Sequence, residues 1–451
     1  MSAETRTTAA EPGTHQVTMT LEEALAYCVQ QHKAGDLDRA EPIYAAVLQR
    51  HPERTDVLNW LGILKHQRGD LEGALALMRH VVELTPDADG VWNNIGNVLL
   101  ELDRDEEAAE AFTRSLELVE TPQVWANLAR AWRRRGALDR SERVCRRALE
   151  MQPDNGPAMH NLALALIAQN RLDEGVDAAL KASELLPRHE QRNSLYARML
   201  LMMGLDAREQ AATILRAWLE REPDSAYAAH QLAACTGEAT PERASDAYVE
   251  SVFDTFAETF DSTLTRLKYR APEFVADALA VALPSPARQF DVVDVGCGTG
   301  MCGPLVRPWA RRLVGCDLSS GMMERARQRD VYDDLQKAEL TAFLDANPDA
   351  FDVIVSADTF IYFGALEAVA RAMRRALRAG GHVAFSAEAI QASEAGEHVL
   401  RASGRYAHSA DYLRRVFGAA GVPVVAVVDV VLREEGAVPV QGWIVTARRD
   451  A

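Results

Sequence analysis

The chain has 451 residues, 48% apolar and 25% charged, an ordinary globular balance with length for about three domains. Acidic side chains outnumber basic ones 66 to 49, and both halves are acidic: residues 1–240 hold 37 acids and 26 bases, the remainder 29 and 23. Nucleic acid and anionic membrane both require a positive footprint, so neither is the expected ligand.

The first 18 residues are polar and read as a disordered N-terminus without a basic-then-apolar secretion pattern. The longest apolar run, 422–432, is broken by Asp429 and falls short of the ~20 residues that span a bilayer. Six cysteines are scattered without close pairs, which predicts reduced thiols in a cytoplasmic protein and no metal site.

A period near 34 organises the first half. Pro52, Pro86, Pro153, Pro187 and Pro223 close successive units, with Glu120 closing the one unit that lacks proline. Twelve residues before each closing position stands a small residue: Ala40, Ala74, Ala108, Ser141, Gly175 and Ala211. Gly35, Gly69, Asp103, Gly136, Asn170 and Gly204 supply turns between two helices. This phase-locked pattern resembles the tetratricopeptide repeat, with six units over about 21–224 and a part-repeat after them; the domain is set at 19–238. The resemblance implies a helical solenoid with a concave groove. Asn94, Asn127 and Asn161 share one repeat position and resemble the asparagine ladder of repeat-bearing glycosyltransferases, which implies a peptide or protein partner held through its backbone; bridging helices inside the stack is the other reading. An arginine cluster beside them, from Arg130 to Arg147, is either a grip for acidic groups or a solvated face.

Residues 239–285 read as a helical linker. From 286 onward strand candidates alternate with helices, at 290–295, 312–317, 334–339, 351–357 and 380–386, followed by a hairpin at 424–432 and 439–447. Alternation predicts a doubly wound parallel sheet. The first strand runs through Asp291 and Asp294 into a turn containing Gly296, Cys297, Gly298, Thr299 and Gly300, where glycines let a ligand approach main-chain N–H groups. With Gly303, the same glycines also satisfy a dinucleotide fingerprint, so the motif alone leaves a nicotinamide enzyme open. Asp294 just before the turn suits a cationic group and would repel a pyrophosphate. Asp317 at the end of the second strand suits ribose hydroxyls and is followed at once by apolar residues.

Together with the terminal hairpin, these residues resemble the class I S-adenosylmethionine-dependent methyltransferases over about 286–451. The whole arrangement resembles bacterial methyltransferases fused to tetratricopeptide repeats, with a Rossmann-like seven-stranded domain and the 239–285 helices as a lid. The resemblance implies S-adenosylmethionine as cofactor and S-adenosylhomocysteine as product. Asp294, Gly296, Cys297, Gly298, Thr299 and Gly300 would form the methionine-side loop, and Asp317 would take the ribose. Leu318, Met322, Glu339 and Leu340 would surround the adenine, Ala357 would offer its carbonyl to the methionine amine, and Tyr269 would reach cofactor or substrate. On the acceptor side stand Asp358 and Tyr362 after the fourth strand, and Arg405, Tyr406 and His408 before the sixth, with His408 as the candidate base. No Asn-Pro-Pro-Tyr or Asp-Pro-Pro-Tyr follows the fourth strand and no glutamate pair suits arginine methylation, which points away from nucleic-acid bases and arginine as acceptors. The expected function is O- or N-methylation of a peptide or protein recruited by the repeats. The alternatives are a small or carrier-bound acceptor with the repeats docking a partner, and a non-catalytic cofactor sensor.

Overall fold

A computed structural model describes residues 7–9, 17–187, 190–202, 207–391, 394–435 and 438–450. Most of the expected disordered N-terminus lies outside these residues, as does the turn at Gly204; Thr7–Ala9 and Val17–Met19 form a short antiparallel pair. The chain divides into two compact units, Met1–Leu200 and Leu201–Ala451. Among the described residues no helix is long and apolar enough to cross a membrane.

In the first unit, helices pair in sequence, as in Asp89–Glu101 with Asp105–Leu118 and Pro122–Arg134 with Leu138–Met151. The reason is visible at the in-phase small residues. Ala40, Ala74, Ala108 and Ser141 are fully buried where two helices cross, and a Cβ on Gly96 would come within 2.5 Å of the Phe112 ring. The chain reverses through left-handed residues, φ +58° at Asp103 and +62° at Asn170, conformations open to glycine, asparagine and aspartate at low cost. First helices of adjoining pairs pack on one another more closely than second helices do, so the first helices line the inner side of the stack.

The second unit begins with helices Arg208–Arg221 and Ala226–Thr236, the last of the repeat-like segment. The stretch expected as one helical linker is three helices: Asp246–Phe256, Phe260–Arg266 and Ala271–Ala282. Then come strands β1 (Phe290–Val295), β2 (Ala310–Asp317), β3 (Asp334–Lys337), β4 (Phe351–Ser356), β5 (Leu377–Ala389), β6 (Val424–Glu435) and β7 (Val438–Arg448). Their order across the sheet is β6-β7-β5-β4-β1-β2-β3. The first five strands are parallel, and β7 enters antiparallel between β5 and β6, as the short hairpin connection requires. Val292, Val293, Val353, Ile354 and Val355 are buried on both faces of the central strands, which explains their unbroken apolar runs. This is the Rossmann-like seven-stranded arrangement behind helical repeats. A small pair, His398–Leu400 with Tyr406–His408, joins the carboxyl end of β5 and has no counterpart in the sequence reading.

Candidate functional site

The strand order reverses direction at β1, so the carboxyl ends of β1, β2 and β4 open a crevice where the loops converge. The glycine turn after β1 takes φ of +69° at Gly296, +54° at Gly298 and +82° at Gly300. A Cβ on Gly298 would meet nothing within 4 Å, so that side of the loop is open to a ligand; one on Gly296 would overlap Thr359. The N–H groups of Gly296 and Cys297 both donate to the carbonyl of Cys316, which locks the turn to β2.

Asp317 closes the loop. Its carboxylate accepts from the N–H of Gly298 and of Ser319, each at 2.8 Å. Burial nevertheless lifts its pKa above the usual carboxylate value, against those hydrogen bonds. Asp294 is 1% exposed and accepts from the Tyr332 hydroxyl at 2.6 Å. Burial, and to a lesser extent the charge of Asp317, push its pKa up to about 7. An anionic Asp294 is therefore costly until a cation lies beside it.

Glu339 differs from its expected place at a strand end. β3 stops at Lys337, and Glu339 caps the helix Leu340–Asp345, its Oε2 accepting from the Ala342 N–H at 2.8 Å. Its Oε1 is buried without a hydrogen bond, and its nearest cation, Arg243, is 3.9 Å away. A buried carboxylate oxygen in want of a donor fits an amino group of a ligand. Leu340 and Met322 are buried beside this region, and Leu318 is half-buried. The Ala357 carbonyl receives a long 3.4 Å bond from the Thr359 hydroxyl.

The pre-core helices cover these strand ends. Asp254 accepts from Ser319 Oγ at 2.5 Å and from the Gly321 N–H at 3.2 Å. Asp261 accepts from Thr299 Oγ1 at 2.6 Å and pairs with Arg329, which donates to the Thr299 carbonyl. Lys337 bridges Glu250 and Ser320. Neither Asp254 nor Tyr332 was singled out from the sequence; the only available signal for Asp254 was its place within the aromatic stretch 253–260.

The side expected to face an acceptor holds an ionic cluster. Arg433, 4% exposed, pairs with Asp358 at 2.7 Å, with Glu435 at 2.8 Å and with Glu388. Glu388, 1% exposed, also receives Arg405 at 2.8 Å and Arg401 at 2.9 Å. Burial raises the carboxyl pKa of Glu388, and the three arginines more than offset it, leaving it below the ordinary value. Asp358 sits at φ +52°, and the Ser386 hydroxyl accepts its N–H and donates to its Oδ1. Burial raises its pKa despite Arg433. Tyr362 is half-buried, edge-on to Phe253 at 5.4 Å, and burial pushes its hydroxyl up to about 12. Burial, then the charge of Asp358, also raises Tyr269, whose hydroxyl senses both Arg433 and Asp294. Tyr269 therefore stands in the field of both halves of the crevice.

Three expected residues face elsewhere. His408 is fully buried, its Nε2 donating to the carbonyl of Phe363 at 2.8 Å, and its pKa is lowered to about 4 by burial. A ring with no exposure cannot take a proton from an acceptor, and His408 instead fixes the 363–364 turn beside β5. Tyr406 is also fully buried and donates to the Pro241 carbonyl at 2.6 Å. Arg405 belongs to the ionic cluster, not to a free substrate contact. In the repeats, Asn127 donates to Asn93 and accepts from Gln123, while Asn161 is buried and donates to the carbonyls of Ala126 and Pro157. Only Asn94 of the three keeps its amide without a hydrogen bond among the described residues. Two of the three amides are thus engaged within the stack, Asn127 with the side chains of Asn93 and Gln123 and Asn161 with main-chain carbonyls. The six cysteines are all buried and free, and no metal-binding cluster occurs among the described residues.

Parts of the chain are similar to known proteins. Residues 293–385 match the methyltransferase-domain family, and 31–89, 67–123 and 93–156 match tetratricopeptide-repeat families. The human Methyltransferase-like protein 27 is 37% identical over 89 residues, which is 20% of this chain and 36% of that protein. A Malonyl-[acyl-carrier protein] O-methyltransferase of Enterobacter lignolyticus is 30% identical over 141 residues, 31% of this chain and 55% of that protein. A solved S-adenosylmethionine dependent methyltransferase from Mesorhizobium loti is 24% identical, covering 40% of this chain and 98% of that one, with a TM-score of 0.33. The chain thus spans little more than a third to a half of these curated relatives. It joins tetratricopeptide repeats to a methyltransferase domain.

Proposed function

We propose that this chain is an S-adenosylmethionine-dependent methyltransferase whose repeats recruit a protein acceptor. The observation that carries the cofactor assignment is the Gly298–Asp317 clamp, with the unsatisfied Glu339 oxygen at the cap of the helix that follows β3. Asp317 would hold the ribose hydroxyls, Glu339 the adenine amino group, and Asp294 the cationic methionine end. When bound, the sulfonium supplies an electrophilic methyl group. The chain's own task is then to align the acceptor and exclude water. The helices 246–256 and 260–266, latched through Asp254 and Asp261, do the excluding. Asp358, Tyr362 and Tyr269 border the acceptor, and the arginines around Glu388 hold Asp358 in place. His408 serves as a positioning residue for the 363–364 turn.

A second reading, a small or carrier-bound acceptor, is favoured by the acyl-carrier O-methyltransferases among the relatives and by the spent asparagine ladder. Incubating the full chain and a cell lysate with methyl-labelled S-adenosylmethionine separates the two. Label in the protein fraction is the expected result. Label confined to the low-mass fraction would favour the second reading, and no S-adenosylhomocysteine in either would sink both. The Asp317→Ala variant should bind cofactor about 1.5–3 kcal/mol more weakly, through loss of charge-assisted hydrogen bonds, and label correspondingly less at limiting cofactor.

A further inference from the structure

We propose that two copies of this chain associate through β6, which pairs edge to edge and antiparallel with its counterpart about a two-fold axis at Val428. β6 is the outermost strand of the sheet and pairs with β7 alone among the described residues. Its last residues are capped from within the chain. The Leu432 carbonyl accepts from the Arg270 N–H at 3.0 Å, and the Glu434 N–H donates to the Leu267 carbonyl at 2.7 Å. From Val425 to Val431 the outward N–H and C=O groups meet no partner among the described residues. The side chains there are as bare: Val425 is 70% exposed, Val428 53% and Val431 40%.

Proteins ordinarily guard an open edge with lysine, proline, a bulge or a covering loop. Residues 425–431 hold no lysine and no proline, and Asp429 is their one charge. The register irregularities stand at the ends, 424/426 and 431/433, so pairing with β7 is regular between them. A row of unpaired main-chain groups is satisfied by an extended strand, not by a helix or a flat apolar surface. The sequence indicates which strand. Val425-Ala-Val-Val428-Asp-Val-Val431 is apolar but for Asp429 and nearly symmetric about Val428. A two-fold axis between antiparallel strands sets one residue opposite itself. With Val428 on the axis, Val425 meets Val431 of the second copy and Ala426 meets Val430, so the whole uncovered run is paired. Asp429 then lies opposite Val427, which keeps the two carboxylates from facing each other directly. An axis at Asp429 would oppose them, and one at Val427 would set Val431 against Pro423, which has no N–H. Each chain carries −17, so salt screens the repulsion between copies and leaves the strand pairing intact.

This surface is independent of the cofactor crevice, and its test needs neither cofactor nor acceptor. Light scattering on the full chain should give twice the chain mass, with dissociation on dilution that lessens as salt is raised. Val428→Lys sets two ammonium groups opposite each other and should weaken the dimer at least tenfold. Val281→Lys, at an exposed valine of the helix Ala271–Ala282, should leave it unchanged. Val428→Cys reports the register. Opposed residues have Cα atoms about 4.5–5.5 Å apart, within disulfide reach, so oxidation by diamide should link two Val428→Cys chains. The six native cysteines are buried and give little background. Val425→Cys, with its counterpart about 20 Å away along the strands, should not link. A monomeric native chain, a dimer that Val428→Lys leaves intact, or equal linking at both cysteines would overturn the proposal. Should Val428→Lys fail to fold, the native mass and the two cysteine variants decide.

Discussion

Arg433→Met is expected to destabilise the second unit by about 3–5 kcal/mol, measured by urea unfolding of the full chain at neutral pH. The reason is the state of its partners. Arg433 is nearly inaccessible and holds Asp358, Glu388 and Glu435, so removing it leaves carboxylates buried with too few cations. Glu388 retains Arg401 and Arg405, but among the described residues Asp358 keeps the Ser386 hydroxyl as its one side-chain partner. The same change at Arg133 should be neutral or stabilising, because no carboxylate among the described residues lies within ion-pair distance of that guanidinium. Equal losses at both positions would show that arginine burial, not pairing, sets the energetics.

The second large effect is pH-dependent and belongs to Asp294. Its pKa is about 7 in the folded chain against an ordinary 3.8, so the native state holds a proton that the unfolded state has lost. Stability should therefore fall as pH rises from about 4 to about 7 and level off above, by about 4 kcal/mol for this one group. Asp294→Asn should remove that decline, so the variant gains over the native chain as pH rises, read from unfolding midpoints at pH 5 and 8. Cofactor affinity should run the opposite way. A cationic ligand needs the carboxylate, so affinity of the native chain should climb through pH 7, while the Asn variant stays weak and flat. A native chain whose stability is the same at both pH values would contradict the burial of this carboxyl.

The repeats and the doubly wound sheet with its terminal hairpin were readable because both follow periodic patterns. Small residues in phase with turn formers leave little freedom, and apolar runs alternating with helices admit few topologies. The glycine loop and Asp317 were expected at adjoining strand ends, and the structure brings them together, with the Asp317 carboxylate accepting from the Gly298 N–H. The ionic cluster around Glu388 was not. Glu388, Arg401, Arg405 and Arg433 come from separate strands and loops, and no spacing links them. A lone histidine such as His408 carries no sign of which way its ring faces, and here the strand at Tyr406–His408 turns it into the core. The asparagine ladder failed for a subtler reason. Its period was real, but Asn127 spends its amide on Asn93 of the preceding repeat and Asn161 on the carbonyls of Ala126 and Pro157.

The central claim is that the carboxyl ends of β1, β2 and β3 hold S-adenosylmethionine. Calorimetric titration of the full chain with S-adenosylhomocysteine, and separately with NADH, tests it most directly, since the loop after β1 is compatible in outline with either. Saturable one-to-one binding of S-adenosylhomocysteine and no heat from NADH is the result expected from Asp294, Asp317 and Glu339 as they stand. Binding of NADH in its place, or of neither, would contradict it.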